Sequence, residues 1–442
     1  MSGLRDLYER STPTIRIRIT PPGGKGPERV DLEDLEIDEL LARRMGLGGH
    51  MIGKTLSRVL SMTYEDTEKG ADKATIKLNN YDLRFPDDPI FDNGNSLFLT
   101  WGYVGTMAPE REMTVTSWTP GPTFTVECQF KAAVKANQTP ADKTFYGKSY
   151  AEIAELLAEQ NGFGTASRFI EPVPFRPESV VQDNLTDAQF MKKLAKEIGY
   201  IFFIDASGWH FHPQAVGQQP RKVLKYFDDS GRGELLEFPS FEKAPAAQPG
   251  KVTTKAIDPV TKKPIVAEGS NATTAGRKGL AKNLEVIDRR TAQTSLRPLA
   301  AKEAVTTTTA TSPAEAKAKA QGLYKKASMT PSKCTAKGVG DPNFTAKSVL
   351  ELQQIGVRLS GLYYCPSCTH TVEPGNFIIA YKLQRDGTNG AGPGAAQTTA
   401  KTNDQKAPVA GPGGAPKLES FEKINRVTAQ TSTAFRPPGP KK

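Results

Sequence analysis

Alternation between apolar and polar positions dominates the first 130 residues and predicts a run of strands. Thr14 to Thr20, TIRIRIT, alternates strictly, as a strand with one buried face must. Val59 to Tyr64 and Ala74 to Leu78 predict two more strands, joined by the polar loop Glu65 to Asp72. Leu97 to Tyr103 predicts another, entered from the polar turn Asp92 to Ser96. Met113 to Trp118 and Phe124 to Phe130 predict a hairpin across Pro120-Gly121-Pro122. Between the first two strands, a turn at Pro21 to Gly26 and an acidic connector with several leucines lead to the glycine-rich Gly46 to His50.

The period then changes. Ser149-Tyr150-Ala151-Glu152 has capping-box form and opens a helix through Ile153, Leu156 and Leu157, which Asn161-Gly162 ends. Thr186-Asp187-Ala188-Gln189 repeats that form, and Met191, Leu194, Ala195 and Ile198, with Phe190 beside them, follow at helical spacing. Lys192, Lys193 and Lys196 lie largely off that apolar face, and Gly199 is its left-handed stop. Tyr200 to Ile204 is too short and too aromatic for more helix and predicts a buried strand. Ala206-Ser207-Gly208 turns the chain, and Trp209 to His212 returns as the hairpin partner. Gln182 to Pro213 is thus a capped helix feeding a hairpin.

After Phe241 the pattern dissolves. Ala244 to Asn283 is rich in Lys, Thr, Ala, Pro and Gly and contains no aromatic residue. Pro313 to Ser328 recovers a helix of Ala and Lys, and Val349 to Leu352, Gly356 to Leu359, Leu362 to Cys365 and Phe377 to Gln384 predict strands. From Asp386 to Lys417, Val409 is the one large aliphatic residue, which marks a flexible linker. Neither Ala244 to Asn283 nor Asp386 to Lys417 carries enough apolar area to offset ordering entropy, so both are expected to be extended or mobile in the free protein.

Composition agrees with that division. A chain of 442 residues holds about two to four domains. Its 37% apolar content is low, and 39 Gly with 33 Pro imply segments that do not pack. No run is long and apolar enough to cross a membrane, and the N-terminus lacks a signal-peptide pattern. Four cysteines form no disulfide framework and fit synthesis in a reducing cytosol. The net charge of +10 is concentrated: Lys243 to Lys337 holds 18 Lys or Arg against 6 Asp or Glu, a net of +12. A basic stretch can meet nucleic acid or an acidic partner, but almost no aromatic residue interrupts this one, which argues against base stacking and for a solvated segment.

Asn184, Thr186, Asp187, Phe190, Leu194, Ala195, Gly199 and Tyr200 together resemble the helix and "Gly-aromatic" hairpin of the late control protein D family of bacteriophage tail hubs. The N-terminal part of type VI secretion spike proteins has the same architecture. Ala71-Asp72 before Thr75 to Leu78, and Gly102-Tyr103 after Trp101, stand where that family has an "Ala-Asp" pair and a "Gly-Tyr" in its first barrel. A late histidine and arginine can be laid on His370 and Arg385, with Gly375-Asn376-Phe377 in place of a second "Gly-Tyr". The resemblance implies a mainly β fold with an α/β insert: a first barrel-like domain over 1–130, a helix-hairpin domain over 131–214, a second barrel over 215–385 with the basic insert 244–312, and a linker with C-terminal segment over 386–442. It also implies a non-enzymatic homotrimer in the virion tail baseplate, assembled in the host cytoplasm without any cofactor. Two barrels per chain would let a trimer join a sixfold tail tube to a threefold spike. The expected partners are the tube protein, a separate spike protein and baseplate wedge or ring proteins, with no membrane and no nucleic acid.

The residues offer little competing chemistry. Cys365-Pro-Ser-Cys368-Thr369-His370 could supply three zinc ligands but lacks a fourth, and Cys128 and Cys334 have no supporting spacing. Haem attachment needs the histidine directly after the second cysteine, and a redox CxxC expects a βαβ setting, so a tight loop is the simpler reading. His210 and His212 share one strand face without an obvious acidic or sulfur ligand, and His50, Asp87 and Asp88 show no catalytic partner. No nucleophile elbow, phosphate loop or HExxH helix is present. A metal-dependent or cell-wall-degrading enzyme on a tail scaffold is the alternative from another class.

One internal repeat stands outside these motifs. Ile287 to Ser295, IDRRTAQTS, returns as Ile424 to Ser432, INRVTAQTS, with seven of nine positions identical and Arg-Pro after each copy. Ser-Phe-Glu-Lys also occurs twice, at Ser240 to Lys243 and Ser420 to Lys423. Neutral duplication accounts for this, or the alternating Ile287, Arg289, Thr291 and Gln293, with Ile424, Arg426, Thr428 and Gln430, form a short strand that docks on a ring partner.

Overall fold

A computed structural model describes residues 12–19, 30–31, 59–81, 83, 85–226, 233–243, 251–257, 261–270, 281–282, 285–287, 294–296, 303–307, 310–328, 332–356, 359–385 and 389–390. The N-terminal part forms β1 (Pro13–Ile19), β2 (Val30–Asp31), β3 (Val59–Thr67), β4 (Lys73–Asn79), β5 (Ser96–Tyr103), β6 (Thr106–Met107), β7 (Arg111–Thr119) and β8 (Thr123–Phe130). The expected alternation sets their faces: Ile17 and Ile19 of β1 are buried, while Arg18 points out to pair with Glu110. Ile76 and Leu78 of β4 lie across from Val126 and Phe124 of β8 and close the core with them.

The next stretch carries α1 (Lys131–Ala136), β9 (Pro140–Tyr146), α2 (Tyr150–Gln160), β10 (Arg168–Ile170), β11 (Ser179–Thr186), α3 (Asp187–Ile198), β12 (Tyr200–Asp205) and β13 (Gly208–Pro213). Both capping boxes form, Ser149 with Glu152 and Thr186 with Gln189, and Gly199 ends α3 at a φ of 70°. Phe190, Met191, Leu194, Ala195 and Ile198 of α3 are all buried, and β12 and β13 pair as the expected hairpin, extended by β10.

The C-terminal part adds β14 (Lys222–Lys225), β15 (Ser240–Lys243), β16 (Lys251–Ile257), β17 (Pro264–Ser270), β18 (Ala281–Lys282), β19 (Glu285–Ile287), β20 (Thr294–Leu296), β21 (Glu303–Thr307), α4 (Pro313–Ser328), β22 (Ser332–Val339), β23 (Ser348–Gln353), β24 (Gly361–Glu373), β25 (Asn376–Arg385) and β26 (Asn389–Gly390). The two β-rich parts share one 14-stranded sheet, in the order β15-β22-β25-β24-β3-β4-β8-β7-β5-β1-β2, with β14 and β23 branching from β24 and β6 from β5. The join is β24. Its first five residues pair with β23, and Ser367 to Val372 pair with β3. A mainly β architecture interrupted by an α/β region is therefore what the chain builds.

Three expectations change. Gly356 to Leu359 is no strand: Leu359 and Ser360 both donate backbone N–H groups to the Gly356 carbonyl, and Gln354 and Gly356 have positive φ. Cys365 to Cys368 is not a loop but the middle of β24, with a bulge between Tyr364 and Ser367 where Pro366 cannot donate to the ladder. The basic insert contains regular structure: β17, β16 and β21 form a small sheet whose inner face, Val252, Thr254, Ala256 and Ile265, packs on α4. Thr254 Oγ1 donates to the Ala316 carbonyl at 3.1 Å, so a threonine fills a place where composition predicts only solvation. The linker Asp386 to Lys417 falls almost wholly outside the described residues, as does the acidic connector with Gly46 to His50.

Candidate functional site

Glu65 to Asp72 reads in sequence as a polar loop, yet Glu65 to Thr67 form the end of β3 and the stretch holds a buried polar centre. Asp66 and Asp72 are only 4% and 3% exposed. Lys347, on the approach to β23, reaches both: it is ion-paired with Asp66 and lies 3.4 Å from Asp72 Oδ1. The Tyr64 hydroxyl donates to Asp72 Oδ2 at 2.9 Å, Thr67 N–H to Asp72 Oδ1 at 3.2 Å, and Ala346 N–H to Asp66 Oδ2 at 2.8 Å. The Lys347 ammonium also sits 4.5 Å above the Phe203 ring of β12. One lysine thus joins the N-terminal strands, the helix-hairpin region and the C-terminal strands. Its backbone sits in the left-handed region, at a φ of 61°, which costs a non-glycine residue about 1–3 kcal/mol and persists only where the surroundings impose it.

Electrostatics follow from the crowding. Burial and the Asp66 charge push Asp72 up to about 7, against the opposing pull of Lys347 and the bonds from Tyr64 and Thr67. Burial draws the Lys347 ammonium down, but Asp66, Asp72 and Asp205 overcome it and hold it above its ordinary value. Glu68, one turn further on, is raised by burial while Tyr364 donates to it at 2.9 Å and Gln214 at 3.1 Å. Its own N–H donates to the Pro366 carbonyl at 3.0 Å, tying the turn to the bulge of β24.

Asp205, Ser207 and His210 carry the residue types of a hydrolase triad without its geometry. Ser207 Oγ lies 2.8 Å and Asp205 Oδ1 3.2 Å from the same nitrogen, His210 Nε2, and Ser207 Oγ donates directly to Asp205 at 2.5 Å. A triad needs the acid on one ring nitrogen and the nucleophile on the other. Here Asp205 instead accepts the Ser207 and Gly208 N–H groups and fixes the hairpin turn. Burial pushes Asp205 up, but the His210 bond and the Lys347 charge hold its carboxyl well below the usual range. The His210 ring is stacked between Phe169 at 4.5 Å and Phe203 at 4.3 Å, and His212 is 5.6 Å away, lowered by burial with Nδ1 against the Pro213 carbonyl.

The other candidates are also absorbed into packing. Cys365 and Cys368 are fully buried, and burial pushes both thiols well up. Cys365 bonds the Ser367 carbonyl, and Cys368 Sγ is 3.6 Å from His370 Nε2. Burial pushes His370 down to about 4, so it is a neutral ring against Trp101 and Tyr64. Among the described residues no group of three or more His, Cys, Asp or Glu could hold a metal. Arg385 is buried with its guanidinium 4.4 Å over the Tyr363 ring and donates to the Ser360 carbonyl. Ile287 ends β19, which pairs with β20 over Glu285–Ile287 and Thr294–Leu296, so the described ends of the first repeat copy lie on paired strands. Arg289, Thr291, Gln293, Ile424, Arg426, Thr428 and Gln430 lie outside the described residues.

A second buried lysine binds α4 to the helix-hairpin region. Lys319 of α4 is 2.8 Å from Glu315 and 3.1 Å from Glu197 of α3, and the Tyr150 hydroxyl of α2 donates to Glu197 at 2.8 Å. Beside it the backbones meet at Gly199 and Gly322: a Cβ on Gly322 would stand 2.2 Å from the Ile198 carbonyl carbon.

Comparison with known proteins adds the following. A family model described as the Alg8 N-terminal domain matches residues 112–374. The match begins inside β7 and ends just after β24, so both its limits fall within the large sheet. No curated protein matches the sequence. Among solved structures, the tail protein from Neisseria meningitidis MC58 is similar with a TM-score of 0.55 and 9% identity, over 85% of this chain and 98% of that one. The 43 kDa tail protein of prophage MuSo2 from Shewanella oneidensis has a TM-score of 0.55 and 11% identity, over 85% of this chain and 99% of that one. The fold is therefore that of phage tail proteins, as the helix-hairpin residues imply.

Proposed function

The chain belongs to the family whose model is described as the Alg8 N-terminal domain, its fold is that of phage tail proteins, and from that premise we propose that it is a structural baseplate hub rather than an enzyme. The observation that carries this reading is that the likeness takes in nearly the whole of both tail proteins, not one shared module. The polar centres described above agree with it. Lys347, Glu68 and Lys319 each tie separate parts of the chain together, and the Asp205, Ser207 and His210 cluster is arranged as a turn.

In this proposal three copies associate, and the strands on either side of the helix-hairpin region give the trimer a near-sixfold ring that meets the tail tube on one side and a separate spike protein on the other. The repeat adds a way to hold a surrounding wedge or ring. Two copies per chain make six short segments, and a coil of about 30 residues spans roughly 30 Å, which raises their effective concentration at ring sites. The protein would act in the virion tail after assembly in the host cytoplasm.

The test is the mass of the purified protein, alone and with tube or spike protein. A trimer under either condition supports the hub reading, and monomer under all of them overturns it. Deleting Ile424 to Ser432, and separately scrambling Ile287 to Ser295, tests the docking segments. Normal hub-to-ring affinity in both variants would remove them from the model of assembly.

A further inference from the structure

We propose that the Asp66–Asp72–Lys347 cluster is a proton-operated latch between the large sheet and the helix-hairpin region, closed with a proton on the aspartate pair and loosened as that proton is lost on the rise to neutral pH. The inference stands on the geometry of the cluster and is independent of the hub reading.

The charge balance is the first support. Asp66 and Asp72 share one cation, the Lys347 ammonium, and the Asp205 carboxylate faces the same ammonium from the tip of β12. With both members of the pair ionised, two buried carboxylates and the partly exposed Asp205 share the charge of one lysine, and that excess is unfavourable for the buried pair. With one proton held, which Asp72 can keep while still accepting from Tyr64, the excess falls by one charge. Asp66 and Asp72 are fixed to the sheet through backbone N–H groups of Ala346 and Thr67. Asp205 is the carboxylate on the other side of the boundary, so withdrawal of its hairpin is the relief open to the structure. Lys347 is already strained in its left-handed conformation, which letting go of Phe203 and the aspartates would release.

Other titratable groups also face the latch. Tyr64 is raised well above its ordinary value by burial and by Asp72 and Asp66, so it remains a neutral donor. The thiols of Cys365 and Cys368 on β24 are likewise raised by burial and remain neutral. Arg111 of β7 acts on Tyr64 and His370 as a constant positive charge. His370 is lowered to about 4 by burial, so it opposes folding only as pH falls below its ordinary value. Asp205 is held low, and its contribution is lost only in acid; His210 is its direct partner. Lys347 is held high, and its contribution is lost only in strong alkali. Glu68 is raised by burial and acts in the same direction as Asp72 from the adjoining turn.

The sign is fixed by linkage. Asp72 has a folded value, about 7, above its ordinary one, so its protonation stabilises the closed form fully in acid and the effect is lost as pH rises through about 7. Between about pH 6 and about pH 8.5 the opening equilibrium of the latch should rise about ten-fold.

Hydrogen exchange on the full chain, corrected for the intrinsic pH dependence of exchange, reads this directly. Peptides covering Thr63–Asp72 and Ile201–His212 should lose about ten-fold in protection over that interval, whereas α2 should not. Asp72→Asn, which keeps an acceptor for Tyr64 but cannot ionise, should abolish the response. An unchanged wild type, or a full response in Asp72→Asn, overturns the proposal. If Asp72→Asn does not fold, infrared spectroscopy of the wild type decides the matter. A buried protonated carboxyl band that disappears over the interval in both the wild type and Glu68→Gln supports the latch, and its absence at about pH 6 in either overturns it.

Discussion

Two lysines, each about 5% exposed, hold this molecule together, and they do so in different ways. Lys319 finds Glu315 one turn back on its own helix and Glu197 on the neighbouring helix. Those carboxylates are supported independently: Glu315 accepts from Thr311 N–H and hydroxyl, and Glu197 from Tyr150. Lys347 has no such local partner. Its aspartates lie some 275 positions earlier in sequence, it needs a left-handed backbone to reach them, and a third carboxylate looks on. The first arrangement is a reinforced helix contact, and the second is a tertiary junction that draws on three separate parts of the chain.

The sharpest way to break the comparison is to remove each charge while keeping the length of the side chain. Lys347→Met leaves Asp66 and Asp72 buried without a cation and should cost about 3–5 kcal/mol in denaturant unfolding. Lys319→Met leaves Glu315 its Thr311 donors and Glu197 partly open to water, at 31% side-chain exposure, and should cost less, about 1–3 kcal/mol. Equal losses, or a larger one at Lys319, would mean that the solvent access of Glu197 does not matter and the distinction fails.

Gly322→Ala probes the same helix contact without touching charge. The added methyl meets backbone at Ile198 and Gly199, not a movable side-chain end, so α4 must shift away from α3. A cost of about 1–3 kcal/mol is expected, with faster exchange in α4 and little change at Tyr64 or Asp72. Equal disturbance at the Lys347 cluster would show that the two junctions are one cooperative unit.

What could be read from the sequence divides along the same line. The helix-hairpin unit is legible because each of its signals is local: the Thr186 cap, the spacing of Phe190 to Ile198, the Gly199 stop, and the alternation about Ala206-Ser207-Gly208. The strands of the N-terminal part are legible for the same reason. Ser332 to Val339 gives no such signal, because its inward residues Cys334, Ala336 and Gly338 are small and carry no apolar alternation, though they pack on Tyr381 and its neighbours. The β16–β17 hairpin is obscured by threonine and lysine. The polar centre is the least legible of all. Asp66 and Asp72 fall in a stretch that reads as a polar loop, and nothing near Lys347 hints that β24 brings it back to β3. Proline and two cysteines in Cys365 to Cys368 suggest a loop with ligands, whereas that proline marks the place where one long strand changes partners.

The smallest effect belongs to the most legible feature, and it sharpens the contrast between local and long-range order. Thr186 accepts the Gln189 N–H at 3.2 Å while the Gln189 side chain accepts the Thr186 N–H at 3.2 Å, and the Thr186 hydroxyl also lies 3.3 Å from Asn137 Oδ1. Thr186→Ala deletes the hydroxyl and leaves the amide of Gln189 without its partner, at a cost of about 1 kcal/mol. Thr186→Ser keeps the cap and should recover most of that stability. Since Glu197 lies at the far end of α3, fraying of the first turn should leave the Lys319 junction intact, and the exchange increase should be confined to the residues around Asp187 to Phe190. A loss above roughly 2 kcal/mol in Thr186→Ala, unrelieved by serine, would assign the effect to methyl packing in the site rather than to the cap, and would make this end of the helix part of the long-range order as well.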